Sequence, residues 1–432
     1  MTLKKSIFYY FFSQFPVIVS GLLVSIISSR ILGAEGKGIF GILTFNIVFI
    51  GLLLSFGFNQ ASIYFTANKK LSNSEVAGTS LFHFLSNITA VGLFLLTSLF
   101  FLPDSWFMPD MEDIIYGYIY TFIIFGLNRL NELIQSIFSG NKMFRTINQA
   151  SILKGLLFII CYSVLYYLYL KNQIGLIEVL IGNTIVSVFT SVFWLTQYIL
   201  KIGAVPANLK TTLSNLHLFT SFSKFIYISS LVNFLNYRVD VYFLEFNLSM
   251  KEVGIYLVAV NLSQMMWLVS DAFCRVLTPH LIGWKGEQKN KTFEAFQRLH
   301  TTIILVLTGI VWIIIDPLIP FLFGVEFEAA IIPTRILLLG NIFACSSKIF
   351  SLIPYSNNNV NLNLYAALFG LGVTLALDIL LIPVFGIEGA AWASNFAYLT
   401  ILVYLLFTVK KRFKVSIFNF LFVTRSDFKH IL

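Results

Sequence analysis

The sequence predicts an all-α polytopic membrane protein of about twelve transmembrane helices, and three observations carry that prediction. The first is composition: 57% of the 432 residues are hydrophobic and 11% are charged, with mean hydropathy +0.84. Soluble domains carry about 25% charged residues. The second is run length. Apolar stretches recur at the roughly 20 residues a helix needs to cross about 30 Å of hydrocarbon. They are too long for barrel strands and lack two-residue alternation. The third is the placement of Lys and Arg in alternate connections, the mark of a chain oriented by the positive-inside bias.

The elements follow in order. The start, MTLKKSIFYYFFSQFPVIVSGLLVSIISS, has the basic head of a signal peptide. Its apolar run is too long and no small-residue cleavage site follows, so it reads as a retained first helix. Splitting the chain at polar and Gly/Pro clusters places spans near 6–29, 38–66, 76–102, 114–138, 146–170, 176–200, 224–247, 254–283, 298–322, 331–353, 362–383 and 389–409. With the N-terminus inside, the cytoplasmic segments hold about 19 Lys and Arg and the outside loops about four. Acid collects outside, in PDSWFMPDMED (103–113) and GVEFEAA (324–330). Both termini are therefore expected in the cytoplasm. The net charge of +9 has this topological cause and needs no nucleic acid partner. Cys161, Cys274 and Cys345 fall in apolar runs without C-x-x-C spacing, which indicates neither a disulfide framework nor a metal site.

The chain repeats itself. LGAEGKGIFGILTFN begins at Leu32 and LSMKEVGIYLVAVNL at Leu248, an offset of 216 residues, with Gly38-Ile39-Phe40 matching Gly254-Ile255-Tyr256. Six helices between equivalent points give both copies one orientation, hence a parallel repeat about an axis along the membrane normal. A weaker echo links GLIEVLIGN (175–183) to GIEGAAWASN (386–395). The expected domains are an N-terminal lobe over 1–200, a cytoplasmic interlobe linker at 201–223, a C-terminal lobe over 224–409 and a basic cytoplasmic tail at 410–432. The glycine-rich SRILGAEGKGIFG (29–41) lacks the G-x-x-x-x-G-K-[ST] spacing of a phosphate loop. It reads as an outside turn between helices, with Gly33, Gly36 and Gly38 allowing a tight reversal and close packing.

These segments also carry a family resemblance. SRILGAEGKGIFG, YRVDVYFLEFNLSMKEVGIYLVAVNLSQMM (237–266) and NLNLYAALFGLGVTLALDILLIPVFGIEGAAWAS (361–394) resemble, in order and spacing, the Wzx-type polysaccharide (O-antigen) flippases of the multidrug/oligosaccharidyl-lipid/polysaccharide (MOP) exporter superfamily. The resemblance implies a V-shaped MATE/MOP-like fold of two six-helix lobes around a cavity. It implies alternating access that moves an undecaprenyl-pyrophosphate-linked oligosaccharide repeat unit of O-antigen, capsule or exopolysaccharide to the outer leaflet of a bacterial inner membrane. It also implies a cationic cavity, a polysaccharide polymerase and chain-length regulator as partners, and no cofactor beyond a coupling ion, H+ or Na+. Asp378 departs from the pattern, standing where an amide or hydrophobe is usual.

Charges inside the spans nominate the site independently. They are Arg129, Lys154, Arg238, Arg275, Arg335 and Lys348 against Glu132, Asp240, Glu245, Asp271, Asp316 and Asp378. A charge at mid-bilayer costs about 2.5–3.5 kcal/mol even on the insertion scale, so these groups must meet a partner or a wet cavity. Arg335, Lys348, Glu245 and Asp316 lie near span ends and are expected to snorkel. Arg129 with Glu132 and Asp271 with Arg275 sit at i,i+3 and i,i+4, where they can pair within a helix or face a cavity. Arg238, mid-span and out of register with Asp240, and Lys154, with no acid nearby in sequence, are the leading candidates to hold pyrophosphate. Arg offers a planar fork for phosphate oxygens and Lys a mobile charge. Asn59, Asn233, Asn236, Asn261 and Gln264 offer amides to sugar hydroxyls or to neighbouring helices, and Asp240 and Asp271 could serve sugar or ion coupling. Pro16, Pro279 and Pro354 are candidate kinks.

Competing classes remain a multidrug or small-cation antiporter of the same superfamily, which would want an acidic cavity, and a lipid II flippase. A membrane polymerase or ligase would need a large outside loop with catalytic residues. No outside loop here exceeds about a dozen residues and the five histidines are scattered; the chain is not expected to be an enzyme.

The topology is directly testable. Reporter fusions after Lys70, Lys142 and Lys285 are expected to read cytoplasmic, and those at Asp110 and Glu326 periplasmic. A periplasmic signal at Lys142 would refute the twelve-span order.

Overall fold

The computed structural model describes residues 3–101, 108–109, 111, 113–171, 174–283 and 286–413. Most of the acidic loop 103–113, Lys285 and the tail beyond 413 lie outside them, as do the side chains of Pro16 and Pro279. The described residues are nearly all helical. They form α1 (Leu3–Leu53), α2 (Phe58–Ala67), α3 (Asn73–Phe101), α4 (Ile114–Gly140), α5 (Phe144–Tyr169), α6 (Leu176–Lys201) and α7 (Leu209–Asn247). After these come α8 (Met250–Gln264), α9 (Trp267–Gly283), α10 (Gly286–Phe323), a short 3-10 turn (Val325–Ala330), α11 (Ile331–Phe350), α12 (Leu352–Ser356) and α13 (Asn361–Phe413).

Eight of these helical stretches are long and apolar enough to cross a membrane by themselves, and α8 with α9, bent by 40°, makes a ninth. Two of the eight are each two crossings. α1 breaks at Gly33 (φ 63°) and α13 at Gly386 (φ 55°), a left-handed backbone that glycine adopts without steric cost. Beyond Gly386 the chain doubles back so tightly that a Cβ on Gly389 would strike the Leu381 carbonyl. Across Gly33, Lys37 Nζ returns to Ser28 Oγ at 2.7 Å and the Ser25 carbonyl at 3.4 Å. With α4, whose polar face dilutes its hydropathy, the described residues contain about twelve crossings.

Of the three turn glycines expected at 33–38, Gly33 alone takes a positive φ. Gly36 instead serves packing, its Cβ direction lying 3.0 Å from Leu32 Cβ. Lys37 is buried and ties the two arms of the turn together. The span expected at 38–66 is interrupted between α1 and α2, where Phe56 and Gly57 both have positive φ. Helix α7 begins at Leu209, so residues 209–223 are helical. The expected kink at Pro354 falls in the short α12, and Pro317, Pro320 and Pro383 also lie inside helices.

The repeat appears in these breaks. Gly33 and Ser249 are 216 residues apart; Ser249 N-caps α8 and exchanges hydrogen bonds with Glu252 in a capping box. The weaker echo also falls at equivalent points, since Gly175 N-caps α6 and Gly386 opens the last arm of α13.

The chain forms two compact units, one of residues 16–231 and one of residue 232 onward with the first fifteen residues. In the first, α4 is central and packs on α2, α3, α5 and α6. In the second, α11 is central, packed on α8, α9, α10 and α13, with 72% of its span buried. Each is the fourth crossing of its half. Small residues let helices approach it: Ala390, Ala391, Ala393 and Ser394 are buried on α13, and Asn395 Nδ2 donates to the Ile336 carbonyl of α11 at 2.7 Å. Outward positions are large and apolar, such as Ile160, Ile313 and Phe407, as a lipid-facing surface requires.

The sharpest test of the doubled-back hairpin is Gly389→Ala, which overpacks the Gly386 turn. It is expected to destabilise by about 1–3 kcal/mol, read as a lowered melting temperature of purified protein. Gly372→Ala, with nothing within 4 Å of its Cβ direction, is the silent control.

Candidate functional site

The polar groups of the first unit converge on one face of α4. Asn128, Asn131, Glu132 and Gln135 recur at i, i+3, i+4 and i+7, a single helical stripe. With Ala150, Ser151 and Lys154 of α5 and Thr190 and Trp194 of α6, they line a cavity of about 260 Å³. Arg129 turns off this face and is buried. Its guanidinium meets Glu132 at 2.5 Å, and Glu132 also accepts from Asn59 Nδ2 at 3.0 Å. The i,i+3 pair that the spacing allows is therefore formed, and Asn59 is tied to it. Lys154 is exposed into the cavity, and its charge lies 5.8 Å from the Phe158 ring centre.

In the second unit a row of polar groups crosses from α7 to α11. Arg238 of α7 donates to Gln264 Oε1 at 3.1 Å. Beside it, Tyr237 packs on Trp267 at 4.7 Å between ring centres. Lys348 of α11 lies over that indole at 4.4 Å and bridges to Asp271 of α9 at 2.9 Å. Asp271 therefore pairs across helices with Lys348, and Lys348, expected to snorkel, is held in this row. Arg275, one turn beyond Asp271, is exposed. Arg335 likewise meets Asp316 at 2.9 Å. Asn233 and Asn261 are exposed on their helices. Asn236 is buried and donates to the Ala367 carbonyl at 2.7 Å, which makes it an interhelical tie.

Behind this row lies a buried carboxyl pair. Asp240 accepts from Tyr256 Oη at 2.5 Å, Ser394 Oγ at 3.3 Å and the Val241 amide at 2.9 Å. Asp378 is fully buried in the same unit, and neither of its oxygens has a hydrogen-bond partner among the described residues. A buried ionised group in that state is costly unless something of opposite charge joins it.

Sequence reasoning named Arg238, Lys154, Gln264, Asp271 and Asp240. It missed the amides Asn128, Asn131 and Gln135, though their i, i+3, i+7 spacing in NRLNELIQ was readable. Trp267, Tyr256 and Ser394 carry no local signal; only the packing brings them to Lys348 and Asp240.

The fold is shared with solved transporters. A lipid II flippase MurJ in an inward closed conformation superposes with TM-score 0.77 at 16% identity, covering 97% of this chain and 90% of that one. An inward-facing multidrug resistance MATE transporter of the MOP superfamily superposes with TM-score 0.69 at 15% identity, covering 92% and 94%. The apolar helical spans and intramembrane polar groups define a multi-pass membrane protein that shares the fold of these transporters. Residues 3–281 match the family described as "Polysaccharide biosynthesis protein", and the chain belongs to that family. It is also 25% identical over 199 residues to the probable low-salt glycan biosynthesis flippase Agl15 of Haloferax volcanii. That match spans 45% of this chain and 42% of the relative.

Glu132→Ala leaves the buried Arg129 without its carboxylate and is expected to reduce the amount of folded protein in the membrane, because the charge left unpaired is the buried one. Arg129→Ala with Glu132→Ala is expected to recover most of it. Normal abundance of the single variant, measured by immunoblot of membranes, would contradict the pairing.

Proposed function

We propose that the protein is a flippase that carries polyprenyl-pyrophosphate-linked oligosaccharide repeat units from the inner to the outer leaflet of a bacterial cytoplasmic membrane, with both termini in the cytoplasm. The observation that carries this reading is the row Arg238–Gln264–Trp267–Lys348–Asp271 inside the membrane spans. It sets an arginine fork and a lysine beside an aromatic wall, donors suited to phosphate oxygens. Family membership and the glycan flippase relative support the class of cargo. In this reading the protein alternates between inward-open and outward-open states with the headgroup bound, and the delivered repeat unit passes to a polymerase on the outer side under a chain-length regulator.

The pair Asp240 and Asp378 supplies the coupling site in the same reading. Two buried carboxyls in one unit, one of them lacking any donor among the described residues, suit the uptake of a single small cation, H+ or Na+, whose passage would drive the protein between its states. The antiporter reading rests on these same two residues; the cationic row argues that the main cargo is anionic.

The test is export of surface polysaccharide from cells whose chromosomal copy is replaced. Arg238→Ala is expected to abolish export at normal membrane abundance, and Arg238→Lys to keep part of it, because charge survives without the fork. Arg238→Ala with Asp240→Ala is expected to restore no export. Full export by Arg238→Ala would remove the residue from the site. Asp378→Asn is expected to leave abundance intact and slow export; unchanged export would refute the coupling site.

A further inference from the structure

The cavity of the first unit does not have the chemistry of a pyrophosphate clamp. It presents one ammonium, three side-chain amides, two hydroxyls and an indole. Its carboxylate, Glu132, is already compensated by Arg129 at 2.5 Å and by Asn59 at 3.0 Å. Among the described residues Lys154 has no carboxylate within salt-bridge distance, and its ammonium lies 5.8 Å from the Phe158 ring centre. The cavity therefore carries one uncompensated positive charge. Its amides are unspent as well: Asn131 Oδ1 is buried with no donor. Thr190 and Ser151 donate to carbonyls of their own helices, 2.8 and 3.1 Å away, which leaves their oxygens as acceptors towards the cavity.

Such a surface inside a membrane unit is expensive to keep polar for packing alone. Amides and hydroxyls that both donate and accept match the ring hydroxyls of a sugar. One point charge without an arginine fork matches a carboxylate better than a diphosphate, which the row around Arg238 suits. About 260 Å³ is below the roughly 300–1,000 Å³ of pockets for drug-sized ligands and fits one sugar ring rather than a chain of them.

We infer that this cavity, bounded by Asn128, Asn131, Gln135, Ser151, Lys154 and Trp194, is a subsite for one acidic sugar of the repeat unit, a hexuronate-type residue whose carboxylate meets Lys154. The inference rests on the flippase reading and deepens it: Lys154 reads the glycan, and the pyrophosphate lies with Arg238.

Trp194 lines the cavity and gives the readout. Purified full-length protein is titrated with sodium glucuronate, glucose and inorganic pyrophosphate, and the fluorescence change that vanishes in Trp194→Phe is taken as the signal of this cavity. Glucuronate is expected to give that signal at about tenfold lower concentration than glucose. Lys154→Gln is expected to erase the preference, and Lys154→Arg to keep it. Equal responses to glucuronate and glucose, or a preference that survives Lys154→Gln, would overturn the assignment. So would a Trp194 signal from pyrophosphate that depends on Lys154. Size-exclusion profiles and melting curves of each variant identify misfolding, and in that event glucuronate protection of Lys154 from amine acylation in the unaltered protein decides: no protection overturns the proposal. Pyrophosphate binding that depends on Arg238, measured on the same preparation, reports on the flippase reading separately. Loss of glucuronate binding with Arg238 intact in its role sinks the subsite alone.

Discussion

Hydrocarbon has no hydrogen bonds to offer, and an ionised side chain placed in it costs several kcal/mol. That constraint organises this molecule. Backbone groups are satisfied by nearly continuous helix, and several of the breaks occur where glycine or a capping box supplies the turn, as at Gly33, Gly57, Ser249 and Gly386. Side-chain charges are matched across helices, as Arg335 with Asp316 and Lys348 with Asp271, matched within one, as Arg129 with Glu132, held by neutral donors, as Asp240 is, or turned towards a cavity, as Lys154 is. Asp378 differs from these, buried with neither oxygen hydrogen-bonded among the described residues, which is why the proposed ion coupling is assigned to it.

The same constraint explains why α4 and α11 bear so much of the polar chemistry. A helix surrounded by other helices can carry a polar stripe without showing it to lipid. Both are the central helix of their unit, and both place amides or charges on inward faces: Asn128 to Gln135 on α4, Asn341 and Lys348 on α11. Trp267 Nε1 donates to Asn341 Oδ1 at 2.7 Å, so the indole beneath Lys348 is itself held in place. The outward faces of α5 and α10 carry Ile160 and Ile313, while the inward face of α5 adds Ser151 and Lys154 to the cavity.

Much of the fold was legible in the sequence because hydropathy and loop charge are local properties. The crossing count, the all-helical class and the half-chain repeat at Leu32 and Leu248 were all readable. Helix ends were less so: α7 starts at Leu209, because Leu213 and Leu218 extend an exposed apolar face through residues whose polarity suggested a linker. Of the site, the residues could be named but not their partners. Nothing in the local sequence relates Lys348 to Asp271, 77 residues away, or Ser394 to Asp240, 154 away. Asn236 illustrates the reverse error open to sequence reasoning, since an amide near Arg238 is spent on the Ala367 carbonyl. The stripe on α4 was visible as spacing and passed over because amides, unlike charges, do not stand out in an apolar run.

Water accessibility tests the central claim most directly. In a variant with Cys161, Cys274 and Cys345 replaced, single cysteines at Lys154, Lys348, Leu156 and Ile160 are labelled in intact membranes with a charged, water-borne thiol reagent. Modification is predicted at 154 and 348 and not at 156 or 160, whose side chains face outward on the same helix as Lys154. Equal labelling at all four positions, or none at 154 and 348, would contradict the account that the intramembrane charges face water and cargo rather than lipid.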